Sequence, residues 1–492
     1  MQRALASAST LMTSLSTAAL TTSPAVNAID VFATDAPTIA ADRVRDDVAA
    51  LQTLRPSYPF WRHVFMVPDG AIAFGSALDG HLIATFPDSG DWSTAATWAD
   101  PALAGSLADE ALPADLGERR DTVARRLAET AGPVLHNPTR GLFMLPNAER
   151  YGGLLNEWRS IYERFGVPGD LGLAQALVES GFSGTTRSEA GAVGFCQWMP
   201  ANWRRLQHLS PYPIDATSQT TQAAYCAAYL SILATKYRSF IPALSEHHTG
   251  GVNVGRILIN GERLGGQSIR EQYFLGSDFA HDVRALAPGT YSDVYGTYGP
   301  RSFRYAEMIF GNAATVAQLA SVIPQEQVFA MRGSRVRTAA EIARIAGVSV
   351  DEVGRFNPSL SRRSSAGSTI YLPRYVAALG PDVSFWHRRP NAVYTSALTE
   401  LLTTDLSLEE WNASPFDAEL ELLRHRFIES RSEEGTIIAT VLAYVLEERR
   451  ESGHGAILQE FRTSERIQQL FDAARQARDA SQSAADALPQ TN

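Results

Sequence analysis

The chain has 492 residues, 45% of them hydrophobic and 20% charged, an ordinary globular composition with room for about three domains of ~150 residues. Its formal net charge of −10, with no Lys/Arg run, excludes the basic field that a nucleic-acid partner requires. No stretch reaches the ~20 continuous apolar residues of a membrane-spanning helix.

At the N-terminus, Arg3 precedes a mildly apolar, small-residue run from Ala4 to Leu20, and Val26-Asn27-Ala28 has a small-residue cleavage pattern. This predicts an export signal over residues 1–28; the alternative is a disordered Ala/Ser/Thr tail. No cysteine lies near it, so a lipoprotein anchor is excluded. Residues 45–142 form an N-terminal region. Within it "RHVFMV", "AIAFG" and "HLIATF", separated by Asp69-Gly70 and Asp79-Gly80, predict a small antiparallel meander. From about Asp109 the apolar spacing turns helical, as in "GERRDTVARRLAET".

Residues 143–312 hold most of the Tyr and Gly and make the largest domain. Residues 326–373 read strand, helix, helix, strand: "QVFAM", "RTAAEIARIAG", "SVDEVGRFN", "STIYLP". Residues 380–475 carry amphipathic helical stretches. The Ala/Ser/Gln tail, 476–492, buries too little apolar surface to order itself. Cys196 and Cys226 are too few for a disulfide scaffold and lack metal-ligand spacing; they read as small buried hydrophobes that an exported protein could join.

The chemistry centres on "LAQALVESGF", residues 173–182. Asp170 after Pro168-Gly169 caps the start of a helix, "LGLAQALV" fills the interior, and Gly181 supplies its C′ position. Glu179 then sits in the last turn, where apolar neighbours and the negative end of the helix dipole both disfavour its ionised form. A carboxyl so placed keeps its proton near neutral pH and serves as a general acid. Downstream, "RSEAGAVGFCQWMP" sets Ser188, Gly191, Gly194, Gln197 and Met199 in a loop where glycines allow close backbone approach and polar side chains grip a sugar.

Glu179-Ser180-Gly181-Phe182, the S-x-x-G-A-x-G segment from Ser188 to Gly194 and Gln197 to Pro200 follow one another without gaps. Together they resemble the catalytic core of the lytic transglycosylases, which cleave bacterial peptidoglycan with a lysozyme-like domain. The resemblance covers about 143–312. It implies a mainly α protein: an α+β lysozyme-like catalytic domain, a small N-terminal antiparallel β meander and a βααβ module. Where the family carries A-Y-N-A-G, this chain has "EHHTGG", so His247 and His248 stand at the Tyr and Asn positions. Tyr305, in "RSFRYAEMIFG", falls where the family has a Tyr near the end of the domain. The subgroup most similar is the D-type membrane-bound enzymes with C-terminal LysM repeats. Residues 326–373 resemble a LysM module that binds N-acetylglucosamine-containing glycans, although Gly333-Ser334-Arg335 replaces the usual G-D-T start.

By that resemblance Glu179 is the single acid and base. It protonates the oxygen between N-acetylmuramic acid and N-acetylglucosamine, then takes the muramyl C6 hydroxyl proton to close a 1,6-anhydro ring. Ser180, Ser188, Gln197, Met199, His247, His248 and Tyr305 form the substrate-binding set. The partner is the peptidoglycan glycan strand, in the periplasm or cell envelope, with peripheral envelope association and neither cofactor nor metal. Two other functions fit the same residues. One is a degenerate glycan binder, suggested by the His pair; the other is a hydrolytic muramidase that recruits a second carboxylate such as Glu189 or Glu246. A Tyr does not titrate near neutral pH, whereas a His changes charge around pH ~6.5. The expectation is that His247 lies beside Glu179 and lowers its pKa when charged.

Overall fold

Helix α1 (Ala36–Leu54) opens the part of the chain that the computed structural model describes, residues 36–107, 111–286, 288–289, 303–360 and 363–486. The expected export signal, 1–28, lies outside these residues. In the N-terminal region "RHVFMV" is helix α2 (Trp61–Met66) and not a strand. Val64 and Phe65 are its inward positions and, with Phe60 just before the helix, keep helical rather than alternating spacing and pack against Ala73. The preceding Tyr58–Phe60 turn, with Pro59 inside it, leads directly into the helix. Strands β1 (Ala71–Ser76), β2 (Leu82–Pro87), β3 (Thr97–Trp98) and β4 (Val134–Pro138) make an antiparallel sheet in the order β3-β2-β1-β4. Ile72, Phe74, Ile83 and Phe86 bury one face against Val123 and Leu127 of helix α3 (Leu116–Ala131).

The rest is mainly helical. The central element is α5 (Gln219–Tyr237), in which every residue but Lys236 is buried. A helix buried on all sides is a core element, its middle filled by Ala, Leu, Ile, Cys and Tyr. Around it lie α4 (Gly169–Ser180), α6 (Phe240–Thr249), α7 (Gly251–Arg263) and α8 (Tyr305–Val322), with α8 packed on α4 and α6 on α5. The start of α6 is fixed from α1. Asp47, wholly buried, accepts hydrogen bonds from Ser239 Oγ at 2.6 Å, Phe240 N at 2.7 Å and Arg270 Nε at 2.6 Å. A buried carboxylate with that many donors is satisfied, and it sets where the far end of α6 lies.

Residues 326–373 contain β5 (Phe329–Arg332), α9 (Ala339–Ala346), α10 (Val350–Phe356) and β6 (Thr369–Leu372), with β5 and β6 paired antiparallel. Met331, Ile342, Val353, Ile370 and Leu372 make a small core of their own. The module is also welded to the helical body. Tyr371 and Thr221 share a hydroxyl hydrogen bond of 2.7 Å, Val328 N donates to Glu157 Oε2 at 3.1 Å, and Arg332 pairs with Glu433 while lying 4.0 Å over the Tyr212 ring. Val328, Ala330, Phe356 and Tyr371 belong to the main core. Excising the module would therefore open that core.

C-terminal helices α11 (Glu433–Ser452), α12 (His454–Thr463) and α13 (Glu465–Asp486) complete the body, α11 against α5. The tail expected to be unstructured continues α13 as far as Asp486; 487–492 lie outside the described residues. Alanine and arginine favour helix without needing a core, and Phe471 anchors the segment on Phe279 with ring centroids 4.8 Å apart. No described helix is long and apolar enough to cross a membrane.

Cys196 and Cys226 are joined, with Cα atoms 5.9 Å apart, and the bridge ties the loop after α4 to the middle of α5. It closes a sequence separation of 30 residues. By loop-closure entropy, replacing both cysteines with serine should cost about 3–4 kcal/mol of unfolding free energy in denaturant titration. A loss under about 1 kcal/mol would mean that the bridge adds no constraint of that kind.

Candidate active site

Helix α4 ends where its chemistry begins. Asp170 lies in the first turn and pairs with Arg159, whose Nε is 3.0 Å away, so it is not the cap; Pro168 precedes the helix without a side-chain cap. At the other end Gly181 takes the left-handed conformation, φ 58°, and a Cβ there would collide with the Phe143 carbonyl. The chain turns at once, leaving Glu179 in the last turn with its side chain 10% exposed.

Three elements meet on that carboxyl. Tyr305, the first residue of α8, donates its hydroxyl hydrogen to Glu179 Oε1. His248, near the end of α6, brings Nδ1 to 3.7 Å from the same oxygen, an ion-pair distance longer than a hydrogen bond. Its ring lies flat on Tyr305, centroids 4.3 Å apart and planes 10° from parallel. One turn before the acid, buried Gln175 donates from Nε2 to the Tyr305 hydroxyl oxygen at 3.3 Å. Among the described residues nothing bonds Glu179 Oε2, which leaves that oxygen for a substrate.

These contacts correct the expected electrostatics. Burial raises the Glu179 pKa, as anticipated, but His248, then His247 and the Tyr305 hydroxyl outweigh it, and the carboxyl ends below its ordinary value. The histidine beside the acid is His248, not His247. Adjacent helical residues point ~100° apart, and His247 turns inward. Its Nε2 lies 2.7 Å from the Cys196 carbonyl, which accepts, and its ring stacks on Trp198 at 6.2 Å. Burial lowers the His247 pKa, against the opposing pull of the Glu179 charge and the Cys196 carbonyl, and the ring braces the loop from behind. Tyr305 is pushed well above the usual tyrosine range by burial and by the facing carboxylate, so it remains a donor.

The glycine-rich loop is held as a unit. Gln197, at φ 46°, donates from Nε2 to the carbonyls of Thr186 at 3.2 Å and Gly194 at 3.0 Å. Gly194 has φ 74°, and a Cβ there would collide with the Gln222 amide, which itself accepts from Phe195 N at 3.1 Å. Ser188 Oγ accepts from Ala192 N at 3.1 Å in an exposed turn, and Met199 is 42% exposed just before the helix that starts at Pro200. Ser180 is buried and its hydroxyl donates to the Ala176 carbonyl at 3.0 Å, facing away from solvent. Glu179, Tyr305 and His248 are thus in direct contact. Ser188, Gln197 and Met199 make no hydrogen bond to Glu179. Sequence reasoning missed Gln175, whose signal was a polar residue one turn before the acid inside an apolar run. No described cluster of three or more His, Cys, Asp or Glu side chains could hold a metal.

Comparison with known families falls on this same arrangement. Residues 156–265 match the Transglycosylase SLT domain. The SLT match takes in Glu179, the loop and both histidines, and it marks a lyase-type enzyme domain acting on peptidoglycan; Tyr305 and residues 326–373 lie beyond it. No curated protein matches the chain.

Replacing Glu179 with Gln should lower the rate on peptidoglycan roughly 10²–10⁴-fold, the usual loss of a general acid–base. Replacing His248 with Asn removes the main influence lowering the Glu179 pKa. The acid then keeps its proton to higher pH, and the alkaline limb of kcat/KM should move upward. A limb that stays in place would show that His248 does not couple to the acid.

Proposed function

We propose that the protein is a lytic transglycosylase that cleaves the bond between N-acetylmuramic acid and N-acetylglucosamine and leaves 1,6-anhydro ends. The observation carrying this reading is a secluded carboxylate with one hydrogen-bonded oxygen, Oε1, and one, Oε2, that has no hydrogen bond among the described residues. In the first step Glu179 gives its proton to the glycosidic oxygen as the C1–O bond breaks, while the muramyl acetamide stabilises the charge developing at C1. In the second, the C6 hydroxyl attacks C1 and returns its proton to Glu179.

The lowered pKa has opposite effects on the two steps. His248 and Tyr305 stabilise the carboxylate that the first step creates, and they reduce the fraction of enzyme that starts with the proton. Seating a glycan strand expels the remaining water and pushes the carboxyl back up. Glu246 is unsuited to the muramidase alternative: it is buried, 2.9 Å from Lys236 Nζ and bonded by the Tyr237 hydroxyl. Glu189 is exposed in the Ser188–Gly191 turn, and no hydrogen bond ties it to Glu179 among the described residues.

The wider setting belongs to the same proposal. Residues 1–28 direct export to the periplasm or envelope, where the substrate lies. Residues 326–373 act as a LysM-like glycan-binding module of a D-type enzyme, presenting Val336 and Val350, both at least half exposed, for contact with sugar faces.

Mass spectrometry of muropeptides released from purified sacculi tests the reading. Anhydro ends are expected; reducing ends would indicate a hydrolase and no release a degenerate binder. For the module, Val336→Asp with Val350→Asp should reduce co-sedimentation with insoluble peptidoglycan while leaving cleavage of a short soluble glycan unchanged. Equal sedimentation would show that these two side chains do not bind glycan.

A further inference from the structure

The acid rests on a two-step donor chain that begins on its own helix. Gln175 and Glu179 are four residues apart on α4 and therefore share a face. Tyr305 enters from α8 and fits between them. A tyrosine hydroxyl has one hydrogen, and it can point at either neighbour. With the Gln175 amide donating to the hydroxyl oxygen, that hydrogen is directed at Glu179 Oε1.

We propose that Gln175 is a positioning residue for the catalytic proton: by donating to Tyr305 it keeps Oε1 an acceptor and so makes Oε2 the oxygen that gives and regains the proton. The inference rests on the acid–base role proposed for Glu179. In the first step the Oε2–H bond breaks as the glycosidic oxygen gains the proton and the C1–O bond is lost. In the second, Oε2 gains the C6 hydroxyl hydrogen as the C6–O–C1 bond forms. The hydrogens of Gln175 and Tyr305 stay in place throughout, and the site returns to its starting protonation.

Burial makes the device rigid. Gln175 and Tyr305 are each 1% exposed, so no water competes for the hydroxyl. The titratable groups facing the pair are His247 and His248 from α6 and Tyr162 from the helix Leu155–Arg164. None of them supplies Tyr305 with a second donor among the described contacts. Without Gln175 the hydroxyl could still reach Glu179, but the hydrogen bond would no longer be polarised from behind or fixed in direction.

A double-mutant cycle tests this on the full chain, using Gln175→Leu, Tyr305→Phe and the pair together. Gln175→Leu should lower kcat about tenfold, the size of one hydrogen bond made in the transition state, with KM unchanged. It should also move the alkaline limb of kcat/KM upward, because the anion loses support. In the Tyr305→Phe background the same change should add less than about twofold, since the chain is already cut. An equal fall in both backgrounds, or a fall without a shifted limb, would mean that Gln175 only packs, and would overturn the inference. Gln175→Met repeats the cycle if the Leu variant fails to fold by circular dichroism. Failure of the transglycosylase reading would instead appear in the wild-type product, which the cycle does not affect.

Discussion

The hydrogen bond from Tyr305 to Glu179 is the contact on which the rest of the site depends. A carboxyl at the C-terminal end of a helix, largely removed from water, loses hydration and faces the negative end of the helix dipole. An ionised form is tolerable there only with a donor close by. The body of the protein supplies that donor by packing α8 on α4, and it supplies a second, chargeable partner by ending α6 beside them. The same logic reaches back to Asp47 on α1. Its three hydrogen bonds fix the N-terminal end of α6 and hence where His248 can stand.

Behind the acid, the loop and the histidines form a second assembly. The Cys196–Cys226 bridge, the Gln222 amide and His247 all act on residues 194–197 from the α5 and α6 side. The residues expected from the sequence to bind sugar therefore divide by position. Gln197 uses its amide hydrogens to hold the loop's own carbonyls, Ser180 is turned inward, and Ser188 and Met199 remain exposed. Conformational order in the loop is what such an arrangement supplies to a substrate, because little of it must be fixed on binding.

Much of this was legible in the residues, and the gaps have physical causes. Alternation around the Asp-Gly turns located β1 and β2, and three-and-four spacing located the large helices. "RHVFMV" misled because a short amphipathic helix and a short strand carry similar apolar content over six residues. The tail misled because alanine-rich sequence can extend a helix with one anchored aromatic, Phe471. Docking of 326–373 depends on single long-range pairs such as Tyr371 with Thr221, which no local pattern encodes. In the site, Glu179 stood out because an acid ends an apolar run. Gln175 did not, because a single amide inside such a run looks like filler until Tyr305 is placed against it. The choice between His247 and His248 turned on one step of helical rotation.

The central claim is that one carboxyl performs both proton transfers and that the sugar's own C6 hydroxyl, not water, attacks C1. Cleavage of purified sacculi in ¹⁸O-enriched water examines this directly. The account predicts muramyl ends that carry no ¹⁸O and are lighter than reducing ends by one water. Muramyl ends that gain ¹⁸O at C1 would contradict it, since water would then have been the nucleophile.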